Sequence, residues 1–119
     1  MKWYLAKIVF RIICGDGNHT AQFDEQLRLI AADSEHDAFE KAIAIGKNEE
    51  DCFYNLKRQL VHWQFVNISE LYLLNELNDA AEIYSRINEV DDADAYVTFV
   101  HRKAESIQRK HTHQLLNLI

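Results

Sequence analysis

The stretch Trp3–Cys14 constrains the chain more than any other feature. It is rich in β-branched and aromatic residues and alternates over twelve positions. Successive strand side chains point to opposite faces, so Tyr4, Ala6, Ile8, Phe10, Ile12 and Cys14 share one face and Trp3, Leu5, Lys7, Val9, Arg11 and Ile13 the other. The first face reads as core. The second is mixed yet still apolar, so it asks for a cover of its own. A chain carrying such a strand needs a sheet around it and a second layer to bury at least one face.

The neighbouring segments supply both. Gly15-Asp16-Gly17-Asn18 is a turn, because glycine and asparagine tolerate positive φ. A second strand follows over about Gln22 to Ala32, with Phe23, Leu27, Leu29 and Ala31 on one face and Asp24, Gln26 and Arg28 on the other. The two strands make a hairpin. Asp33-Ser34 then opens a helix: Ser34 accepts from free backbone N–H groups, and Glu35 and Asp37 suit the positive end of the dipole. Phe39, Ala42 and Ile43 recur at helical spacing, and Gly46 reads as the stop. Lys47 to Arg58 is charged and irregular, with room for a short helical turn.

Leu60 to Leu74 is a long strand. Val61, Trp63 and Phe65 alternate in one phase, Val66 and Ile68 in the other, so a bulge is expected near Phe65-Val66. Asn75 to Ala80 turns the chain. Ala81 to Val90 is read as the fourth strand, with Ile83, Ser85 and Ile87 on one side and Tyr84 and Arg86 on the other. Asp91, Asp92 and Asp94 open a last helix. Its apolar stripe runs through Ala93, Tyr96, Val97, Val100, Ala104 and Ile107, and its basic residues come late.

The predicted fold is therefore α+β in ββαββα order: a two-layer sandwich of a mainly antiparallel four-stranded sheet with two helices on one face. Residues 1–110 read as a single domain, and residues 111–119 as a C-terminal tail or helix extension. The uncovered sheet face would carry Trp3, Leu5, Val9 and Ile13, which predicts an interaction surface there and a homodimer formed through the sheet. A chain of 119 residues needs no disulfide or metal staple to hold such a core.

Charge narrows the partners. Thirteen Lys and Arg stand against nineteen Asp and Glu, a formal net charge of -6. An acidic surface repels phosphate backbones, so nucleic acid is not the expected partner. Lys7 and Arg11 interrupt the apolar N-terminal stretch, and Gly-Asp-Gly follows it instead of a small-residue cleavage site. No run reaches the length of a membrane span. A cytoplasmic protein with no membrane partner is expected. Cys14 and Cys52 stand far apart and read as reduced, packed thiols.

The chemistry-bearing residues form few patterns. His111-x-His113 would place its imidazoles on different helix faces. Cys52, His62 and His36 match no zinc spacing, so no metal and no cofactor is expected. Cys52 lacks a histidine in a diagnostic relation for nucleophilic catalysis. Gly15-x-Gly17 precedes a strand and is no phosphate loop. Glu70, Glu76 and Glu82, with Tyr84, Arg86 and His62, could assemble an acid/base cluster. Against that stands the ordinary cross-strand pairing of Glu70 or Glu82 with Arg86. Glu70, Glu82, Tyr84 and Arg86 are carried as the speculative ligand-binding set, and no catalytic residue is assigned.

The motifs Trp3-Tyr4-x-Ala6-Lys7, Trp63-x-Phe65-Val66-x-Ile68-x-Glu70-Leu71 and Glu82-x-Tyr84-Ser85-Arg86 occur in this order. Between the first two lie Phe23-Asp24-Glu25, Ala38-Phe39-Glu40-Lys41-Ala42 and Gly46-Lys47. Over about residues 3 to 88 the chain resembles a family of small, mostly bacterial proteins defined as a domain of unknown function. Ala81 stands where that family often has glycine. The resemblance implies a bacterial cytosolic protein and supplies no activity. The leading expectation is a non-enzymatic protein-interaction domain, homodimeric, of the kind that masks a basic protein partner as immunity proteins do. The alternative is a small-molecule-binding protein or enzyme built on the polar cluster of the third and fourth strands.

Overall fold

The computed structural model describes the backbone of residues 1–118 and the side chains of residues 1–110. The side-chain roles considered for residues 111–119 lie outside the described residues. The elements are β1 (Lys2–Cys14), β2 (Gln22–Ala32), α1 (Glu35–Asn48), β3 (Asp51–Tyr54), β4 (Leu60–Leu74) and α2 (Ala93–Leu118). The fold is α+β, and the order is ββαββα. The chain divides into two compact units, Met1–Ile83 and Tyr84–Ile119.

In the first unit the sheet runs β2-β1-β4-β3, antiparallel throughout. The β1–β2 turn forms as its glycines predict. Gly15 and Gly17 sit at φ 58° and 79°, and Asp16 accepts from the Asn18 N–H at 2.9 Å. His19 ties the turn to the strand end: its Nε2 accepts from the Cys14 N–H at 3.0 Å. Its Nδ1 lies 2.8 Å from the Thr20 carbonyl, which fixes the tautomer with the proton on Nδ1.

β4 contains the expected bulge and a second one. Val9 faces Asn67 while Phe10 faces Phe65, which leaves Val66 unpaired. Lys7 faces Glu70 while Ile8 faces Ile68, which leaves Ser69 unpaired. Each extra residue reverses the facing of the strand. Phe65, Ile68 and Leu71 consequently all face the helix layer.

Helix α1 covers that inner face. Ser34 caps it by accepting from the Asp37 N–H at 3.1 Å. Ala38 and Ala42 pack against Tyr4, Ala6, Ile30 and Ala32, with Ile45, Ile68 and Leu71 at the margin. Phe10, Ile8 and Ile30 are the largest fully buried side chains, and burying each is worth about 1.5–3 kcal/mol. Phe10 meets Phe65 edge to face at 6.0 Å. Gly46 does not end the helix, as its type suggested. The helix continues to Asn48, and Gly46 is buried where a Cβ would overlap the Phe65 ring. Close approach, not a left-handed cap, is what requires glycine there.

The identity of one strand also differs from expectation. Residues 81–90 form no strand, so Glu82, Tyr84 and Arg86 lie on an irregular segment. The fourth strand is β3, drawn from the stretch expected to be irregular. Asn55 makes it possible by closing the hairpin to β4. Its Oδ1 accepts from the Lys57 and Gln59 N–H groups, each at 3.0 Å. Arg58 takes the positive φ of 60°. β3 then occupies the place beside β4, while β1 holds the other side, so no edge of β4 is left for residues 81–90.

In the second unit α2 begins at Asp92, whose carboxylate accepts from the Ala95 N–H at 3.1 Å. Tyr96, Val97, Val100 and Ile107 of its apolar stripe are exposed. Lys103 sits 4.8 Å over the Phe99 ring.

Candidate interaction surface

The outer face of the sheet is built by register. Cα partners in an antiparallel pair point to the same side. Trp3, Leu5, Lys7 and Arg11 of β1 therefore share this face with Ala31, Leu29, Leu27 and Phe23 of β2. On the β4 side, Leu74, Tyr72 and Glu70 join them opposite Trp3, Leu5 and Lys7.

The four residues expected at the interaction surface fare differently. Trp3 is exposed at 42% relative area, and Val9 and Ile13 are half-buried. Leu5 is only 4% exposed. It is flanked by Leu29 on one side and Tyr72 on the other, so it supports the face from beneath and offers it no area. The larger apolar area lies on β2: Phe23, Leu27 and Leu29 are exposed at 53%, 50% and 52%. Their alternation was legible, but nothing local in the sequence says that this side of β2 faces outward. The pairing to β1 decides it.

Charges punctuate the face. Lys7 Nζ lies 3.0 Å from Glu70 Oε2 across the β1–β4 pair, and the Tyr72 hydroxyl donates to Glu70 Oε1 at 3.2 Å. Arg11 lies 5.9 Å over the Phe23 ring. Glu70 is thus held within its own sheet by a residue directly opposite it. The other three members of the speculative ligand set sit elsewhere in the chain. Glu82 is on the irregular segment of the first unit, and Tyr84 and Arg86 open the second.

Cys52 and His62 face each other across β3–β4, while His36 is on α1. Among the described residues no group of three His, Cys, Asp or Glu side chains could hold a metal ion. An open cleft of about 450 Å³ lies between the β1–β2 turn and Gln59, lined by polar groups that include Asp16, His19 and Thr20. Its polar groups are largely engaged in holding the turn. No described helix is long and apolar enough to cross a membrane.

An antiparallel four-stranded sheet with one helix over its inner face and several exposed apolar residues on its outer face defines a small α+β domain. Residues 3–85 match the family described as a domain of unknown function, DUF4288, and the chain belongs to that family. The match spans the sheet, α1 and the start of the irregular segment. No curated protein and no solved structure matches the chain.

Proposed function

We propose that this chain is a non-enzymatic protein-interaction domain. It acts as a homodimer in the bacterial cytoplasm and masks a basic protein partner in the manner of an immunity protein. The observation that carries this reading is the exposed row Phe23, Leu27 and Leu29 on the outer sheet face, continued by Trp3 and Tyr72. Scattered surface apolar residues are ordinary, but several on one rigid sheet face mark a contact surface. The net charge of -6 favours a basic partner and speeds its encounter. The test is a native mass spectrum of the tagged protein recovered gently from its host. A stoichiometric second protein, lost in a Leu27→Lys variant that still folds, supports the reading. A second protein retained by that variant, or none in the wild type, contradicts it.

A second reading takes Glu70, Glu82, Tyr84 and Arg86 as a binding set for a small molecule or substrate. The Lys7–Glu70–Tyr72 cluster, set among apolar side chains, favours it, since convergent polar groups in apolar surroundings are what such sites use. A retained small mass in the same spectrum, lost on Glu82→Gln or Arg86→Ala, would select this reading.

A further inference from the structure

The two edges of the sheet are unlike. β3 is four residues long and begins with Asp51, and short charged strands are how natural proteins blunt an edge. β2 has eleven residues, no lysine and no proline, and its charges are Asp24, Glu25 and Arg28. It pairs with β1 in unbroken register from Lys2↔Ala32 to Ile12↔Gln22. A long, regular edge of this kind presents a row of backbone groups ready to pair with another strand.

The side chains of β2 specify which strand. On the helix side of the sheet, Asp24, Gln26 and Arg28 form one polar row. Gln26 Nε2 donates to Asp24, and Arg28 donates to Gln26 Oε1 at 2.8 Å. The row begins with the Asp24 carboxylate and ends with the Arg28 guanidinium, which also pairs with Glu49 of its own chain. A copy of the same strand laid antiparallel reads the row in reverse, so each acidic end meets a basic end.

We propose that two copies of this chain pair edge to edge through β2, antiparallel, about a twofold axis at Gln26. The axis stands normal to the sheet, so inner faces meet inner faces and only registers centred on a residue are allowed. Centring on Glu25 or on Arg28 sets that charge against itself, which is unfavourable. Centring on Leu27 leaves Asp24 opposite Ile30. Centring on Gln26 sets Asp24 opposite Arg28 of the second copy, twice, and Phe23 opposite Leu29, twice. The pairing joins two four-stranded sheets into one of eight and brings the two outer faces side by side, with one Glu25 from each copy near the axis. It also sets Glu25 opposite Leu27, twice, with the outward surface of Leu27 still open to a partner. This deepens the proposed function, and it rests on that reading only for the partner the joined face would bind.

The register is tested by single cysteines in a Cys14→Ser, Cys52→Ser background of the full chain. Opposed residues have Cα atoms about 4.5–5.5 Å apart, within disulfide reach. Mild oxidation of the Gln26→Cys variant is expected to give a covalent dimer. The Asp24→Cys variant is expected to give none, because its own copy lies about 13 Å along the strand pair, four residues at about 3.3 Å each. Asp24→Arg is expected to raise the dimer dissociation constant about tenfold or more, and mixing it with Arg28→Glu to restore a heterodimer. Circular dichroism checks that each variant folds. A monomeric wild type, equal cross-linking of both cysteine variants, or no loss of dimer in Asp24→Arg would overturn the pairing. Loss of the protein partner in Leu27→Lys with the dimer intact separates the two claims. So does loss of the dimer in Asp24→Arg with the partner retained.

Discussion

Gly46 shows how one missing side chain sets the spacing of two layers. The helix passes so close to Phe65 that a Cβ would overlap the ring. Gly46→Ala gains about 1 kcal/mol in helix propensity but overpacks a site where insertion costs about 1–3 kcal/mol. The ring is already held by Phe10, so urea denaturation should show a net loss of stability. A gain would mean that Phe65 swings aside freely. Lys7 and Glu70 make a second residue-scale test. They are register partners at 3.0 Å, both part-buried. A double-mutant cycle with Lys7→Met and Glu70→Gln should return a coupling of about 1 kcal/mol. A coupling near zero would leave Glu70 available for the ligand-binding reading.

At the scale of elements, what could be read from the sequence was whatever local chemistry decides. The alternation of Trp3–Cys14, the glycine turn, the Ser34 cap and the phase switch at Phe65-Val66 each appear where their residues place them. The bulge at Ser69 was hidden, because the break between Ile68 and Glu70 shows only in their pairing with Ile8 and Lys7. The sequence pattern hides β3 and suggests a strand at 81–90 for one shared reason. Both have β-prone patterns, and long-range pairing, not local pattern, decides which of them lies beside β4. The signal that could have found β3 is Cys52-Phe53-Tyr54 followed by Asn55, whose side chain closes the hairpin. Asn55→Ala should therefore raise hydrogen exchange at the amides of β3 while leaving those of β1 protected. Uniform loss of protection across the sheet would contradict a local role. The outer face was half legible for the same reason. Its β1 side followed from alternation, but the burial of Leu5 and the exposure of Leu27 and Leu29 follow from pairing.

For the whole molecule, charge is divided as unevenly as surface. Residues 1–83 carry eight Lys and Arg against fourteen Asp and Glu, whereas residues 84–119 balance five against five. The unit that bears the apolar outer face thus carries the entire net charge of -6. Steering by such a field weakens as salt shortens the screening length, about 10 Å at 0.1 M. If a basic partner is bound as proposed, its association rate should fall steeply as ionic strength rises, with a smaller change in dissociation rate. A salt-independent association rate would remove charge from the account. The central claim, that the outer sheet face is the working surface, is tested most directly by side-chain footprinting of the complex recovered from the host against the free protein. The account predicts protection of Trp3, Leu27 and Tyr72 on binding. Protection confined to Glu82, Tyr84, Arg86 or the exposed stripe of α2, with the sheet face unchanged, would contradict it.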